Sequence, residues 1–314
     1  MLFTIALGMI ISAPSAYDPN RVDAGFQPKT IDMTLRDAKR SRDLPIKFYL
    51  PETTKVAPIV IFSHGLGGSR EMNTFLGVHL AARGYVAVFT QHPGSDTSVW
   101  QGIPARERMA AMQKAASLQN FNLRQQDIHF LLDELTRLNK SDAKLKSRLD
   151  LDKVGMSGHS FGAVTTQAVS GQSYPGVGQT MTDKRIKAAV AYSPSYGGDR
   201  WLKDVKIPWL VMTGTEDNSP IGNSDAASRQ KVYPALPAGD KFEVVLYKAE
   251  HSAFTENALP GDRSSRNPNH HRVMLGVTTA FWDAYLKGDK EASTWILGSG
   301  PRGIMEPKDS WKHK

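Results

Sequence analysis

Apolar positions along this chain follow two patterns, and together they predict a layered α/β fold. Short, mostly apolar runs are typical of strands that are buried on both faces of a parallel sheet. Such runs occupy residues 58–63, 85–90, 153–156, 186–192, 208–213 and 242–247. Ahead of them, residues 30–36 and 45–50 alternate between apolar and polar positions, which predicts an antiparallel hairpin.

Helical periodicity fills the segments between these strands. The helix predicted over residues 122–139 is amphipathic and suited to packing on a sheet, with one face formed by Ile128, Leu131, Leu132, Leu135 and Leu138. Further helices are predicted over residues 69–83, 105–118, 161–170 and 268–287. Strands that alternate with helices predict a mostly parallel, twisted sheet covered by helices on both faces. No repeat or linker interrupts the pattern, so we expect a single domain over residues 17–314.

The N-terminal residues predict an export signal. Residues 2–11 form an uncharged apolar run, and the small residues at 12–16 resemble the cleavage zone of a secretory signal peptide. The run is too short for a membrane-spanning helix, which needs ~20 residues, and no other segment of the sequence is long and apolar enough. A signal peptide over residues 1–16 would make the protein secreted or periplasmic. An apolar N-terminal strand is the alternative, and it would leave the protein cytoplasmic.

Composition narrows the chemistry. The 314 residues include no cysteine, which excludes disulfide scaffolds, thiol nucleophiles and iron–sulfur clusters. The formal net charge is +8, but the basic residues are interleaved with acidic ones and accompany no nucleic-acid-binding motif, so no nucleic-acid partner is expected. No histidines and carboxylates have the spacing of a metal site, so we expect neither a metal nor another cofactor. We expect a monomer.

A G-x-S-x-G sequence, GHSFG over residues 158–162, lies between a predicted strand and a predicted helix. This is the pattern of a nucleophile elbow, a sharp turn whose small flanking residues let a strained serine project from the sheet. The turn would expose Ser160 and direct the positive end of the following helix toward it. A serine in an ordinary tight turn is the alternative interpretation.

A serine nucleophile needs a base, and His251 is the favoured candidate. It comes shortly after the strand predicted over residues 242–247, where the carboxyl ends of the strands gather the functional residues of an open α/β sheet. His270 and His271 open the last predicted helix and are the alternatives, and His313 lies close to the C-terminus.

The acid that would orient the base is predicted to be Asp217. It directly follows the strand predicted over residues 208–213, with Glu216 as its neighbour and rival. The order serine, carboxylate, histidine is the order of a triad built on a nucleophile elbow. The sequence therefore predicts a catalytic triad of Ser160, His251 and Asp217.

A glycine-rich turn, SHGLGG over residues 63–68, follows the buried strand at 58–63. In such a turn a backbone N–H can point toward the nucleophile, and the N–H groups of Leu66 and Phe161 would then form an oxyanion hole. A phosphate-binding loop is the alternative, but the sequence contains neither G-x-x-x-x-G-K-[ST] nor G-x-G-x-x-G. His64 is expected to be hydrogen bonded within the turn.

Substrate selection is expected to depend on inserted segments near the site. Residues 94–123 form the longest insertion, and its predicted helix is rich in Ala and Met. It would act as a lid or pocket wall, and a plain packing helix is an equal alternative. The aromatic candidates for substrate contact are Trp100, Tyr192, Tyr196 and Phe254, each of which would otherwise fill the core or a loop.

These segments resemble the α/β-hydrolase superfamily. Within it, the chain is similar to the predicted dienelactone hydrolases and the plasma-type platelet-activating factor acetylhydrolases. The similarity lies in IVIFSHGLGGSR (59–70), LAARGYVAVFTQHPGSD (80–96), VGMSGHSFGA (154–163) and the TGTED and EHSAF segments. It covers about residues 30–287 and implies an α/β-hydrolase fold and a serine carboxylester hydrolase without a cofactor.

Two departures from this resemblance bear on the substrate. True dienelactone hydrolases use a cysteine nucleophile, which this chain lacks. Bacterial cutinases and polyester hydrolases usually carry Trp or Met inside the elbow, where this chain has His159 and Phe161, and typically have a disulfide. The expected substrates are small to medium acyl or aryl esters. The same triad could instead act on phospholipid or acetyl esters, on polyesters, or on amides or peptides. The remaining alternative is a binding protein of the same fold without catalytic activity.

Overall fold

A computed structural model of the chain describes residues 17–222, 224–258 and 262–314. The predicted signal peptide over residues 1–16 lies outside the described residues. No helix in these described ranges is long and apolar enough to cross a bilayer.

In the described part of the chain, nine strands form one sheet, in the order β1-β2-β4-β3-β5-β6-β7-β8-β9. The six strands from β3 to β8 run parallel, whereas β1, β2 and β9 are antiparallel additions at the two edges. Their bounds are Lys29–Asp37, Arg42–Leu50, Ala57–Ser63, Val86–Thr90, Leu149–His159, Ile186–Tyr192, Trp209–Glu216, Lys241–Glu250 and Ser310–His313, for β1 to β9 in turn.

Helices cover both faces of this sheet, as the sequence predicts. One face packs against α1 and α7 and the other against α3, each through a continuous apolar cluster. The helices α1 to α8 are Thr74–Ala82, Ala105–Ala115, Leu118–Ser141, Phe161–Val169, Ala226–Arg229, Val232–Ala235, Pro268–Trp282 and Lys290–Leu297. The predicted α/β-hydrolase architecture is confirmed, with the carboxyl ends of β3, β5, β7 and β8 opening on the same edge.

Several predicted helix boundaries are wrong: the helix predicted over 122–139 spans Leu118–Ser141, and the α-helix predicted to residue 287 ends at Trp282 and continues as a π-helix. Local backbone geometry explains two others. The helix predicted from residue 69 begins only at Thr74, because Asn73 before it has a left-handed backbone conformation with φ 61°. The helix predicted over 105–118 ends at Ala115, because Ser117 caps the next helix by accepting a hydrogen bond from the Asn120 N–H. Helix α8 and strand β9 were not predicted, since neither carries a long apolar run.

Several buried histidines have lowered pKa values, and that of His64 lies well below its ordinary range because the side chain is buried. Burial first, and neighbouring basic groups second, lower the pKa of His79 and His92 to about 4 and that of His159 to about 3, from 6.5. Each has a hydrogen-bond partner in the folded protein, such as Thr279 Oγ1, which lies 2.9 Å from His79 Nε2. The fold therefore favours the neutral form of these side chains.

We expect the free energy of unfolding to fall as the pH drops from about 6.5 to about 4. In this window the unfolded chain protonates these histidines while the folded protein keeps them neutral. The corresponding stability is present in full above pH ~6.5, and each histidine contributes a slope of up to about 1.4 kcal/mol per pH unit. Urea unfolding across this range measures the slope. His79→Gln should make it shallower and the exposed control His313→Gln should not; equal slopes in all three proteins would contradict the prediction.

Candidate active site

Ser160 occupies a sharp turn between β5 and α4, as a nucleophile elbow requires. Its backbone has φ 57° and ψ −116°, a region that non-glycine residues rarely adopt and that costs on the order of 1–3 kcal/mol. The Ser160 N–H donates a hydrogen bond to the Tyr192 carbonyl oxygen at 2.9 Å, which anchors the turn to the neighbouring strand. The strained serine and its glycine-flanked turn have the geometry predicted from the sequence.

The two glycines of the motif permit close backbone packing. A Cβ atom added to Gly162 would lie 1.9 Å from the Ser63 carbonyl oxygen, and one added to Gly158 would lie 2.3 Å from the Gly162 carbonyl oxygen. Neither contact could be relieved by rotating a side chain, because both involve backbone atoms. The elbow and the end of β3 therefore approach each other only because these residues are glycines.

Gly162→Ala is expected to reduce the free energy of unfolding by about 3 kcal/mol or more, because the methyl group would force β3 and the elbow apart. Gly303→Ala is a matched control, since a Cβ atom there meets no atom within 4 Å. Chemical denaturation of both variants measures the difference. A change of less than about 1 kcal/mol in Gly162→Ala would show that the turn can relax.

Ser160, His251 and Asp217 lie in one chain of hydrogen bonds. His251 Nε2 is 2.9 Å from Ser160 Oγ, and His251 Nδ1 is 2.7 Å from Asp217 Oδ1. An ionised carboxylate only accepts hydrogen bonds, so Nδ1 carries the proton and Nε2 is left to accept from the serine. This is the tautomer in which an imidazole can act as a base toward Ser160.

Asp217 is fully buried and held in its ionised form. Burial alone would raise the pKa of its carboxyl group, but the His251 hydrogen bond and the positive charges nearby outweigh it and keep that pKa well below the ordinary value. Thr213 Oγ1 donates to Asp217 Oδ2 at 2.8 Å, and Arg229 Nε lies 3.1 Å from Oδ1. The carboxylate is therefore fixed in position as well as in charge.

Arg229 is a site residue that the sequence analysis missed. Its side chain is buried, and it donates to the Asp217, Ser193 and Pro194 carbonyl oxygens at 2.7–2.9 Å. It thus joins the loop that carries the acid to the loop after β6. Arg229 lies in the short helix α5 with no motif around it, so the sequence carries no signal for this role.

The rival residues do not join this constellation. Glu216 accepts a hydrogen bond from Ser264 Oγ at 3.3 Å rather than from His251. His270 Nε2 is 3.0 Å from the Tyr247 carbonyl oxygen, and the ring of His271 stacks on Phe75. His313 lies in the edge strand β9. Of the acids and bases weighed from the sequence, the structure brings Asp217 and His251 to Ser160.

The glycine-rich turn after β3 faces Ser160. Gly67 N–H donates to the Ser95 carbonyl oxygen at 2.9 Å and Gly68 N–H to that of Gly65 at 3.1 Å. Within residues 17–222, 224–258 and 262–314, no acceptor pairs with the N–H of Leu66 or of Phe161. These are the two donors predicted for an oxyanion hole, and Phe161 opens α4 at the positive end of its dipole.

Two further histidines, His64 and His159, hold the backbone next to the site through hydrogen bonds. His64 Nδ1 is 2.5 Å from the Gly65 carbonyl oxygen, and its Nε2 accepts from the His92 N–H at 3.0 Å, which is the hydrogen-bonded role predicted from the sequence. His159 Nε2 lies 2.9 Å from the carbonyl oxygen of His251 and so fixes the backbone of that residue.

The predicted substrate-contacting aromatics separate into two groups. Trp100 lies beside the turn over residues 63–68, where its Nε1–H donates to the Gly67 carbonyl oxygen at 2.7 Å. Tyr196 is partly exposed, and its hydroxyl donates to Asp199 at 2.6 Å. Tyr192 and Phe254 were predicted wrongly, because both side chains are fully buried in the apolar core with their ring centroids 6.0 Å apart. Both side chains pack in the core near the elbow and are not exposed to contact a substrate.

Helix α2, within the insertion at residues 94–123, lies against the turn over residues 63–68. No residue of α2 is buried, although the Met112 side chain lies so close to Gly67 that an added Cβ would be 2.7 Å from its Cε. This placement is compatible with a lid or pocket wall and with a packing helix. In the described part of the chain, no three His, Asp or Glu side chains are grouped to hold a metal ion.

Comparison with known proteins agrees with this architecture. A family model described as platelet-activating factor acetylhydrolase, isoform II, matches residues 46–130, which contain Leu66 and end before Ser160. A cutinase of Thermobifida alba, Cutinase est1, is 20% identical over 267 residues, which cover 84% of this chain and 72% of that protein. The fold is that of an α/β hydrolase. The chain resembles the serine esterases of this superfamily.

The relatives with the higher identity are platelet-activating factor acetylhydrolases. The protein from Cavia porcellus is 31% identical over 204 residues, which cover 57% of this chain and 41% of that protein. The protein from Bos taurus is 28% identical over 173 residues, covering 46% and 35%. The chain thus spans about two fifths or less of the length of these two relatives.

Proposed function

We propose that this chain is a serine carboxylester hydrolase that works through an acyl-enzyme on Ser160. The observation that carries the proposal is the hydrogen-bonded chain from Ser160 Oγ through His251 to the buried Asp217. The N–H groups of Leu66 and Phe161, which pair with no acceptor among the described residues, support the proposal, since acyl transfer needs donors for a developing oxyanion.

In the proposed mechanism, Ser160 Oγ attacks the ester carbonyl carbon while its proton passes to His251 Nε2. The carbonyl oxygen becomes an oxyanion that accepts hydrogen bonds from the N–H groups of Leu66 and Phe161. When the tetrahedral intermediate collapses, the alcohol takes the proton from His251 and leaves an acyl group on Ser160. Water then attacks with His251 as base, and the acid is released.

Asp217 stabilises the positive imidazole that forms in both halves of this cycle. Its ionised state does not depend on the pH near neutrality, because its pKa lies well below the ordinary range. The imidazole itself is held from both sides, by Asp217 at Nδ1 and by the Ser160 hydroxyl at Nε2.

The proposed substrates are small to medium acyl or aryl esters. Apolar side chains of Trp100 and Met112 lie against the oxyanion turn, where they would contact an acyl or aryl group. Two narrower candidates come from the relatives: acetyl esters of phospholipids, from the platelet-activating factor acetylhydrolases, and polyesters, from the cutinases. An amidase on the same triad is the candidate from another reaction class.

A substrate panel tests the proposal. p-Nitrophenyl esters of increasing chain length should be cleaved at rates that Ser160→Ala abolishes, and the matching anilides should be cleaved far more slowly. An acetylated phospholipid and a polyester film distinguish the narrower candidates. Anilide turnover without ester turnover would overturn the esterase proposal in favour of an amidase, and no turnover of any substrate by folded protein would support a binding protein.

A further inference from the structure

A buried guanidinium lies directly behind the two oxyanion donors. Arg124, on the first turns of α3, has no exposed surface, which is exceptional for an arginine. All of its hydrogen bonds in the described part of the chain go to uncharged oxygen atoms. Burial lowers the pKa of Arg124 to about 9, so the group still carries its charge at neutral pH. A cation in this position needs an explanation beyond packing.

One half of its contacts supports the turn that carries Leu66. An Arg124 terminal nitrogen donates to the His64 carbonyl oxygen, two residues before Leu66, and to Ser63 Oγ at 3.0 Å. The other terminal nitrogen donates to Ser95 Oγ at 3.0 Å. Ser95 in turn accepts the Gly67 N–H through its carbonyl oxygen. The Arg124 guanidinium thus holds His64, before Leu66, directly and Gly67, after Leu66, through Ser95.

The other half supports Phe161. The Arg124 guanidinium lies over the Phe161 ring, with 4.7 Å between its central carbon and the ring centroid. Arg124 Nε donates to Thr165 Oγ1 at 3.0 Å, and that hydroxyl donates to the Phe161 carbonyl oxygen at 2.9 Å. The same side chain therefore fixes both backbone donors, although they belong to different loops.

Among the described residues, no carboxylate makes a direct contact with this guanidinium. Asp127, one turn further along α3, accepts hydrogen bonds from Arg40, Arg42 and His92. Its two arginine partners offset the charge of Asp127. Asp96, the other acidic side chain that acts on this guanidinium, accepts hydrogen bonds from Gln91 and Ser98 and does not contact it. Arg124 therefore keeps its positive charge behind the turn over residues 63–68. In a buried site of low dielectric, such a charge stabilises an anion that forms only in the transition state far more than it would in water.

We propose that Arg124 is a positioning residue for the proposed ester hydrolysis, which aligns the Leu66 and Phe161 N–H groups and places positive charge behind the oxyanion. This inference rests on the proposed function. Arg124 does not touch the reacting atoms. It acts through the His64 carbonyl, the serine and threonine hydroxyls and the Phe161 ring. Lysine cannot reproduce the role, because it lacks the planar fork that makes these contacts together.

The test compares Arg124→Met and Arg124→Lys with Arg137→Met, a control on the exposed part of the same helix, where Arg137 pairs with Glu134. With p-nitrophenyl butyrate, Arg124→Met should lower kcat by about 10²-fold with little change in KM, as expected when an oxyanion donor is lost. Arg124→Lys should show an intermediate loss, and Arg137→Met should behave as the wild type.

Paired inhibitors separate positioning from a merely structural role. Ser160 Oγ adds to the carbonyl carbon of a trifluoromethyl ketone and forms a tetrahedral adduct with an oxyanion. The matching methyl ketone does not form this adduct readily and serves as an analogue of the bound substrate. In Arg124→Met the first should bind about 10²-fold more weakly and the second within about threefold of the wild type. Added guanidinium should restore part of the activity of Arg124→Ala, because it can refill the cavity.

The outcomes distinguish this inference from the proposed function. Wild-type protein that cleaves no ester and takes no label on Ser160 overturns both. An active wild type whose Arg124→Met variant keeps kcat within about threefold, or loses binding of both ketones equally, overturns the role of Arg124 alone. If Arg124→Met does not fold, Arg124→Lys and its two ketone constants decide the question.

Discussion

Ser160→Ala should lower kcat for ester hydrolysis by about 10⁵-fold or more, while binding of a non-reactive ester analogue stays near the wild-type value. The Oγ atom that lies 2.9 Å from His251 Nε2 is the atom that would form the acyl-enzyme, and alanine has no substitute for it. The residual rate would come from the Leu66 and Phe161 donors acting on an attack by water. Steady-state kinetics with a p-nitrophenyl ester measure the loss.

Ser141→Ala is the control for this substitution. Ser141 is exposed at the end of α3, where its hydroxyl donates to the Arg137 carbonyl oxygen. It should retain full activity, and both variants should unfold at nearly the wild-type temperature. A Ser160→Ala protein that is folded and keeps more than about 1% of wild-type kcat would contradict a nucleophilic role for Ser160.

Asp217→Asn should lower kcat by about 10⁴-fold. The amide fits the space, but it has no charge to stabilise the imidazole once His251 has accepted a proton. It also has an NH₂ group that can donate to His251 Nδ1 and so favour the tautomer in which Nε2 no longer accepts from Ser160. The cation of Arg229, 3.1 Å from the carboxylate, would then face the imidazolium without an intervening anion and increase the loss.

Glu216→Gln is the matched control, because it makes the same chemical change one residue earlier. Glu216 contacts Ser264 and not His251, so we expect kcat within about threefold of the wild type. The same kinetic assay serves for both variants. A large loss in Glu216→Gln together with a small one in Asp217→Asn would assign the acid to the rival residue.

The parts of the site that follow local sequence patterns could be predicted. The elbow depends on glycines within two residues of Ser160, since only they permit the backbone approach to Ser63. Asp217 and His251 each follow a buried strand closely, and parallel strands bring their carboxyl ends together. In these cases chain proximity to an apolar strand was sufficient to locate the side chain.

The residues that were missed or misplaced depend on contacts between distant segments. Arg124 and Arg229 are buried cations, which a hydrophobic pattern predicts to be exposed. Their partners lie 12 to 61 residues away, so nothing near them in the sequence marks their role. The prediction that Tyr192 and Phe254 contact substrate was wrong for a different reason. An aromatic residue near a strand end suits a pocket wall and an apolar core equally well. The structure places both in the core.

Fluorophosphonate labelling of the folded protein tests the central claim, that His251 and Asp217 make Ser160 an activated nucleophile. Intact-protein and peptide mass spectrometry should find one label per chain, on the peptide that contains Ser160. The label should be absent from Ser160→Ala and present in Ser141→Ala. Folded wild-type protein that takes no label, or labelling that persists in Ser160→Ala, would contradict the account.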